Sequence, residues 1–278
     1  MTDPAIHTYT ADESGIFANA YVLQTPDGVV LIDSGLRVSD ARAIGKRAAA
    51  LRGPVLAAFV THAHPDHFNG LPYVVGDDVP VYAATAVAKT IAEIAEPKRE
   101  QWQPVYGQEW PDRYRVPERT LGDGCSVELG GLRVTLHELG AGESHADSYL
   151  MVESGTKRAA FIGDLAFGDL MHSYTADGHT GLWLALLDRL ERELAGVPLY
   201  PGHGSPADTR LLSAQRQYLL MYREAVLRIS DGRPSLTDEQ KTELTAVMAA
   251  FLPQAALPWM VGLGADAVAR ELAEKAGP

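Results

Sequence analysis

Thr61-His62-Ala63-His64-Pro65-Asp66-His67 directly follows the apolar run 55–60. Three imidazoles and a carboxylate so close together are hard to explain as packing, because each would need a polar partner if it were buried. Neutral imidazole and carboxylate are ligands of zinc and related divalent metals. His62 and His64 are two residues apart, so an extended backbone points both side chains the same way. The stretch therefore predicts a metal site at the end of a buried strand.

Three further candidate ligands follow apolar, strand-like segments elsewhere in the chain. They are His145, Asp164 and His203. Proteins of the α/β class collect their site residues where strands end. A catalytic zinc needs about three protein ligands and an open position. With these additions the chain carries enough candidate donors for two metal ions.

The order His-x-His-x-Asp-His, followed by His, Asp and His, resembles the metallo-β-lactamase-fold hydrolase superfamily over residues 6–205. The resemblance implies an α/β fold, a four-layer αββα sandwich. It also implies the ligand set: His62, His64 and His145 on one metal, Asp66, His67 and His203 on the other, and Asp164 bridging both. Asp33, which ends the apolar run 29–32, matches the early aspartate that supports the ligand loop in this family.

Within that superfamily the sequence resembles the hydroxyacylglutathione hydrolase and lactonase branch more than the true β-lactamases. Asp164 stands where true β-lactamases most often have a cysteine or no carboxylate. His64 stands where the flavin-linked di-iron branch usually has glutamate. Glu143 and Ser144, just before His145, depart from the glycine-histidine-threonine form that is common in the family.

Composition narrows the classes of partner. The chain has 278 residues, a formal charge of −12, 46% apolar residues and one cysteine. The negative charge argues against a nucleic-acid surface, which needs clustered Lys and Arg. The first 20 residues lack an apolar core of signal-peptide length, and no run reaches the ~18 apolar residues of a membrane span. The sequence therefore predicts a cytoplasmic protein that acts on a small molecule, without nucleic-acid or membrane partners.

The chain divides into two predicted parts. Residues 1–206 form the catalytic domain, with hairpins at 21–32, 126–136 and 149–162 marked by Gly-containing turns, and helices at 39–51, 85–95 and 182–194. Residues 207–278 carry only helical patterns and form a C-terminal helical extension. Amphipathic helices need a surface to cover, so the extension either caps the sandwich or forms an oligomer interface, such as that of a homodimer.

The segment 97–120 is predicted to be irregular, because four prolines are incompatible with a continuous helix. It also carries Trp102 and Trp110, which makes it a substrate lid, a dimer contact or a local minicore. Two more histidines, His172 and His179, lie between Asp164 and the next helix. Because the ligands of two ions are already accounted for, these histidines are predicted to line the pocket or to lie in solvent.

The ligand set predicts the chemistry. Two cations, Zn²⁺ or alternatively Fe or Mn, would share an activated water that attacks an ester, thioester, lactone or lactam bond. Asp66 and Asp164 would hold metal and receive a proton as the intermediate collapses. The alternatives are a mononuclear iron enzyme that resembles the persulfide dioxygenases, a β-lactamase-type lactam hydrolase, and a non-catalytic metal-binding module.

Overall fold

The computed structural model describes residues 5–168 and 170–275. Its first half forms a six-stranded mixed sheet in the order β1-β2-β3-β4-β5-β6. The strands are β1 Ala5–Thr10, β2 Asn19–Gln24, β3 Val29–Ile32, β4 Val55–Phe59, β5 Val81–Ala84 and β6 Arg119–Leu121. The pairs from β1 to β3 are antiparallel, and those from β3 to β6 are parallel.

The second sheet has five strands in the order β11-β10-β9-β8-β7. They are β7 Ser126–Leu129, β8 Leu132–Gly140, β9 Asp147–Ser154, β10 Lys157–Gly163 and β11 Leu199–Pro201. The β10–β11 pair is parallel and the other pairs are antiparallel. All three predicted hairpins are present, since their turns carry the residues that tight turns require.

Helices cover the outer face of each sheet. The longer ones are α1 Val38–Ala49, α4 Thr85–Tyr106, α5 Thr180–Glu193, α6 Arg210–Ser230, α7 Asp238–Phe251 and α9 Ala265–Lys275; the short ones are α2 Pro65–Phe68, α3 Leu71–Val74 and α8 Trp259–Leu263. Strand β9 shows how the layers meet. Leu150 and Val152 enter the core shared with the first sheet, α1 and α4, whereas Tyr149 and Met151 enter the core shared with α5 to α9. The four-layer αββα sandwich is therefore confirmed.

Helix α4 corrects one prediction. It runs from Thr85 to Tyr106 and includes Pro97 and Pro104, where the sequence predicted a helix end and an irregular segment. Proline inside a helix removes one hydrogen bond and costs about 3 kcal/mol. The turns before Pro97 are anchored by apolar residues buried in the core. Beyond Pro97, Trp102 contacts Tyr106 and Tyr106 contacts Trp110, with ring centroids 6.4 and 5.9 Å apart. Tertiary contacts thus accompany the helix on both sides of Pro97.

The C-terminal helices pack on the second sheet rather than standing apart. Leu219 and Tyr222 of α6, Met248 of α7 and Val268 of α9 belong to the same buried cluster as Trp183 of α5. Tyr222 also donates a hydrogen bond to the carbonyl of Val261, 2.6 Å away. These helices thus complete the outer layer. Within the described residues, no helix combines the length and the apolar character that crossing a bilayer requires.

Candidate metal centre

The candidate ligands meet where strands end. Strand β3 leads into Asp33, β4 into the stretch 61–67, β10 into Asp164, and β11 into the loop that carries His203. Because β3 and β4 are parallel, and β10 and β11 are parallel, the carboxyl ends of each pair lie at the same edge. The two edges face each other across the sandwich, so residues distant in sequence converge there.

A first group of donors is formed by His62, His64, Glu143 and Asp164, all buried, with one ligand atom of each within 4.8 Å of the others. His62 Nε2 lies 3.2 Å from His64 Nδ1 and 3.7 Å from Glu143 Oε2. His64 Nδ1 lies 3.1 Å from the same Glu143 oxygen. Two imidazoles and two carboxylates around one point are a suitable donor set for a divalent metal ion.

A second group is formed by Asp66, His67, Asp164 and His203, also buried and also within 4.8 Å of one another. His67 Nε2 lies 3.1 Å from Asp66 Oδ2 and 3.2 Å from Asp164 Oδ1. His203 Nε2 lies 3.1 Å from Asp66 Oδ2 and 3.1 Å from Asp164 Oδ2. Asp164 is thus a member of both groups.

Asp33 orients two of the imidazoles. Its Oδ2 accepts hydrogen bonds from His67 Nδ1 and from Thr61 Oγ1, each 2.9 Å long, and Thr61 Oγ1 in turn lies 3.0 Å from His62 Nδ1. Asp33 adopts a left-handed backbone conformation with φ of 61°, which is unusual for a residue other than glycine. These contacts place a proton on the Nδ1 atoms of His62 and His67, so their Nε2 lone pairs face the centre. The supporting role predicted for Asp33 fits this arrangement.

Asp177 orients His64 from the opposite side. Its Oδ2 lies 3.3 Å from His64 Nε2, which leaves the Nδ1 lone pair facing the centre. His62 Nε2 and His64 Nδ1 are then two lone pairs 3.2 Å apart that also face a carboxylate. Such a contact between acceptors is favourable only with a cation or a proton between them. Glu143 Oε1 and Oε2, Asp164 Oδ1 and His67 Nε2 are buried and lack a hydrogen-bond partner among the described residues. The residues therefore fit a metal pair.

Electrostatics at the centre lead to the same conclusion. Burial raises the pKa of Glu143 well above its usual range, although the neighbouring His64 acts in the opposite direction. Burial alone would lower the pKa of His203, but Asp164 and Asp66 outweigh it and raise that pKa to about 9. Burial lowers the pKa of His62. Without metal, protons on some of the imidazoles balance the carboxylates, so metal binding should release protons.

A cavity of about 230 Å³ opens onto the donors. Its floor includes four of them: His64, Asp66, Asp164 and His203. Its walls are apolar and aromatic, and include Trp102, Tyr106, Trp110, Phe167, Met171, Tyr174, Trp259, Met260 and Leu263. A mostly apolar cavity with a few convergent polar groups is typical of a small-molecule site.

The family profile described as "Metallo-beta-lactamase superfamily" matches residues 14–203. This range contains both donor groups and covers more than half of the chain. The chain belongs to the metallo-β-lactamase superfamily. It is therefore an enzyme of that superfamily, a hydrolase, with a cluster of potential metal ligands. The predicted superfamily is confirmed, whereas the hydroxyacylglutathione hydrolase and lactonase branch stays a prediction.

Among curated proteins, a linear primary-alkylsulfatase of Pseudomonas sp. (strain ATCC 19151) is 23% identical over 245 residues, which are 76% of this chain and 45% of that protein. This chain thus spans less than half the length of that relative. Among solved structures, a metallo-beta-lactamase from Pontibacter korlensis has a TM-score of 0.60 at 23% identity, covering 79% of this chain and 96% of that one. A beta-lactamase domain protein from Burkholderia ambifaria has a TM-score of 0.67 at 20% identity, covering 100% and 88%. At these identities, the likeness to the solved structures shows the fold alone.

His145 is not brought to the metal centre, which corrects its predicted place in the first ligand set. Its side chain is 54% exposed, and its Nδ1 lies 2.8 Å from His179 Nε2. The bend before β9 explains the difference, because Asp147 accepts hydrogen bonds from both the backbone N–H and the hydroxyl of Ser144. With the bend fixed in this way, Glu143 lies inside beside His62 and His64. The sequence contained one signal for this ligand, namely Glu143, a possible metal ligand two positions before His145.

Neither His172 nor His179 lines the cavity, so the first of the two roles predicted for them is wrong. His172 is buried, and its Nδ1 lies 3.2 Å from the hydroxyl of Tyr218 on α6. Its backbone N–H donates to the carbonyl of Ala256, which turns the segment toward the C-terminal helices. His179 precedes α5 and pairs with His145.

Trp102 and Trp110 line the cavity, where the sequence left a substrate lid, a dimer contact and a local minicore open. Sequence reasoning missed three other contributions. Tyr174 places its ring 5.0 Å from the His64 ring. Lys98 lies on α4 at the cavity, and helix α8 supplies part of the wall. The helical extension therefore contributes to the site of this superfamily hydrolase.

Proposed function

We propose that this superfamily hydrolase is a dinuclear metal enzyme that cleaves an ester, thioester, lactone or lactam bond in a small, largely apolar molecule. The observation that carries the proposal is the position of Asp164. Its Oδ1 lies 3.2 Å from His67 Nε2, and its Oδ2 lies 3.1 Å from His203 Nε2 and 3.8 Å from His62 Nε2. One carboxylate shared by two donor groups is what a pair of bridged cations needs.

The donors divide into two sets. His62, His64 and Glu143 would hold one ion, Asp66, His67 and His203 the other, and Asp164 both. When bound, two such ions would lower the pKa of a water between them and polarise the oxygen of the scissile bond. The imidazole ligands suit Zn²⁺. Because both sets also contain carboxylates, Mn²⁺ or Fe²⁺ could bind as well.

The residues of the chain supply orientation and a proton acceptor. Asp33 and Asp177 fix the imidazoles through hydrogen bonds, so that the lone pairs of three ligands face the centre. Asp66 and Asp164 both line the cavity, so a carboxylate oxygen of either can accept the proton that leaves the attacking water. The apolar walls exclude bulk water and hold the rest of the substrate.

The similarity to a linear primary-alkylsulfatase favours a second candidate, a primary alkyl sulfate as substrate. The reaction would be hydrolysis of the sulfate ester by one water, giving an alcohol and hydrogen sulfate. The apolar cavity suits an alkyl chain as well as it suits an acyl group.

The experiment combines elemental analysis with a substrate panel of esters, thioesters, lactones, β-lactams and alkyl sulfates. We expect about two metal ions per chain, with turnover of at least one ester-type substrate. Asp164→Asn should hold fewer ions and lose turnover, because it removes the shared charge. Asp123→Asn, an exposed carboxylate away from the centre, should change neither. A single tightly held iron per chain would contradict the proposal and favour a mononuclear iron enzyme.

The aromatic wall gives a second test. Trp102 lines the cavity and is only partly buried, so its removal should leave the fold intact. We expect Trp102→Ala to raise KM roughly tenfold, equivalent to about 1.4 kcal/mol of lost binding, while kcat and metal content change little. Tyr114→Ala, an exposed ring outside the cavity, is the matched control. A lower melting temperature with unchanged kinetics would show that the stripe is a structural minicore instead.

A further inference from the structure

The cavity contains an unusual cation. Among the described residues that line it, Lys98 is the only lysine or arginine, and most of the others are apolar or aromatic. Lys98 lies on α4, one turn before Trp102, and is partly buried. An ammonium group next to apolar walls is poorly solvated, so a counter-charge nearby would stabilise it.

The surroundings of Lys98 place it near the donors. Its Nζ lies 5.9 Å from the centroid of the Tyr174 ring, and that ring lies 5.0 Å from the ring of His64. Lys98 and the candidate ligand His64 therefore both adjoin the Tyr174 ring, in the same part of the cavity.

Lys98 forms no ion pair within 4 Å among the described residues, whereas other basic residues of α4 do. Lys89 pairs with Glu93, and Arg99 pairs with Glu96. The nearby carboxylate of Asp177 is already engaged by His64, whose Nε2 lies 3.3 Å from Asp177 Oδ2. The charge of Lys98 thus stays available to a ligand in the cavity.

We infer that Lys98 recognises an anionic group of the substrate, so that the substrate is a small amphiphile with a negative charge close to the scissile bond. Its apolar body would lie along the wall formed by Trp102, Trp259 and Met260. The inference rests on the proposed function, since it takes this cavity as the substrate site. It names Lys98 as the residue that determines specificity, whichever of the candidate bonds is cleaved.

The test measures binding, with octane-1-sulfonate as the probe, because its carbon–sulfur bond is not hydrolysed. Quenching of tryptophan fluorescence reports binding, since three tryptophans line the cavity. For the zinc-loaded protein, Lys98→Met should weaken octane-1-sulfonate binding about tenfold or more, as expected for the loss of a charged partner. Lys98→Arg should retain most of the affinity. Lys89→Met, an exposed lysine of the same helix, should bind like the parent protein.

Octan-1-ol separates charge recognition from wall packing. If Lys98 binds the anionic group and not the alkyl chain, Lys98→Met should bind octan-1-ol as well as the parent does. Equal affinity of Lys98→Met and the parent for octane-1-sulfonate would overturn the inference, and so would an equal loss for both probes. Failure of the proposed function has a different signature, namely a single iron or no turnover in the parent while the sulfonate still binds through Lys98.

Discussion

Glu143→Gln should empty the first metal site and remove hydrolysis. The substitution keeps the size of the side chain but removes its charge, and an amide is a poor replacement for a carboxylate ligand. We expect metal content to fall from about two ions to about one per chain, and turnover to fall further than the roughly 10–100-fold loss caused by changing the partners of ligands. Elemental analysis and kinetics on the same preparation measure both effects.

His145→Ala is the matched control for this prediction. His145 is the histidine that the superfamily resemblance placed in the first site, but its exposed ring pairs with His179. The variant should keep both metals and most of its activity. If His145→Ala empties the site and Glu143→Gln does not, then His145, and not Glu143, is the metal ligand supplied by the bend before β9.

Melting temperatures add a readout that does not depend on a substrate. After chelation, Glu143→Gln should unfold close to the temperature of the parent, because burial raises the pKa of Glu143 and its neutral carboxyl then has the same charge as the amide. On addition of Zn²⁺ the parent should gain more stability than the variant, since metal that binds only the folded state stabilises it. An equal gain would contradict a ligand role for Glu143.

The first donor group illustrates what the sequence could and could not predict. The shared direction of His62 and His64 was predictable, because side chains two residues apart in an extended chain point to the same side. The side chain that enters from the bend at 141–146 depends instead on hydrogen bonds made after folding, such as those between Asp147 and Ser144. The residue spacing could locate this bend, but it could not show which of its side chains points to the metal centre.

The cavity walls show the same division. The stripe of Trp102, Tyr106 and Trp110 has helical spacing, yet the prolines argued for an irregular segment, and only tertiary packing decides between those two tendencies. Helix α8 has five residues, too few for a periodic signal. It lines the cavity because it packs against α7 and its Val261 accepts a hydrogen bond from Tyr222 of α6. Long-range placement of this kind has no local signature.

Gly202→Ala should disable the centre while leaving the fold intact. Gly202 precedes His203, and its N–H donates to the carbonyl of Gly163, 2.7 Å away. A methyl group on Gly202 would lie 1.9 Å from Asp164 Oδ1 and 2.8 Å from His67 Cε1. Since neither distance is tolerable, the shared carboxylate must move, and a displacement of about 1 Å in a catalytic site can cost roughly 10²-fold in rate.

Gly45→Ala is the control for Gly202→Ala. Its added methyl group in α1 would meet neighbours only at 3.6 Å or more, and should stabilise the helix by up to about 1 kcal/mol. Circular dichroism, competition with a chromophoric chelator and turnover compare the two variants. We expect weakened metal binding and lost turnover in Gly202→Ala alone, at unchanged helix content. Full metal affinity in Gly202→Ala would mean that Asp164 can yield to the methyl group without leaving its metals, so that Asp164 does not bridge the centre rigidly.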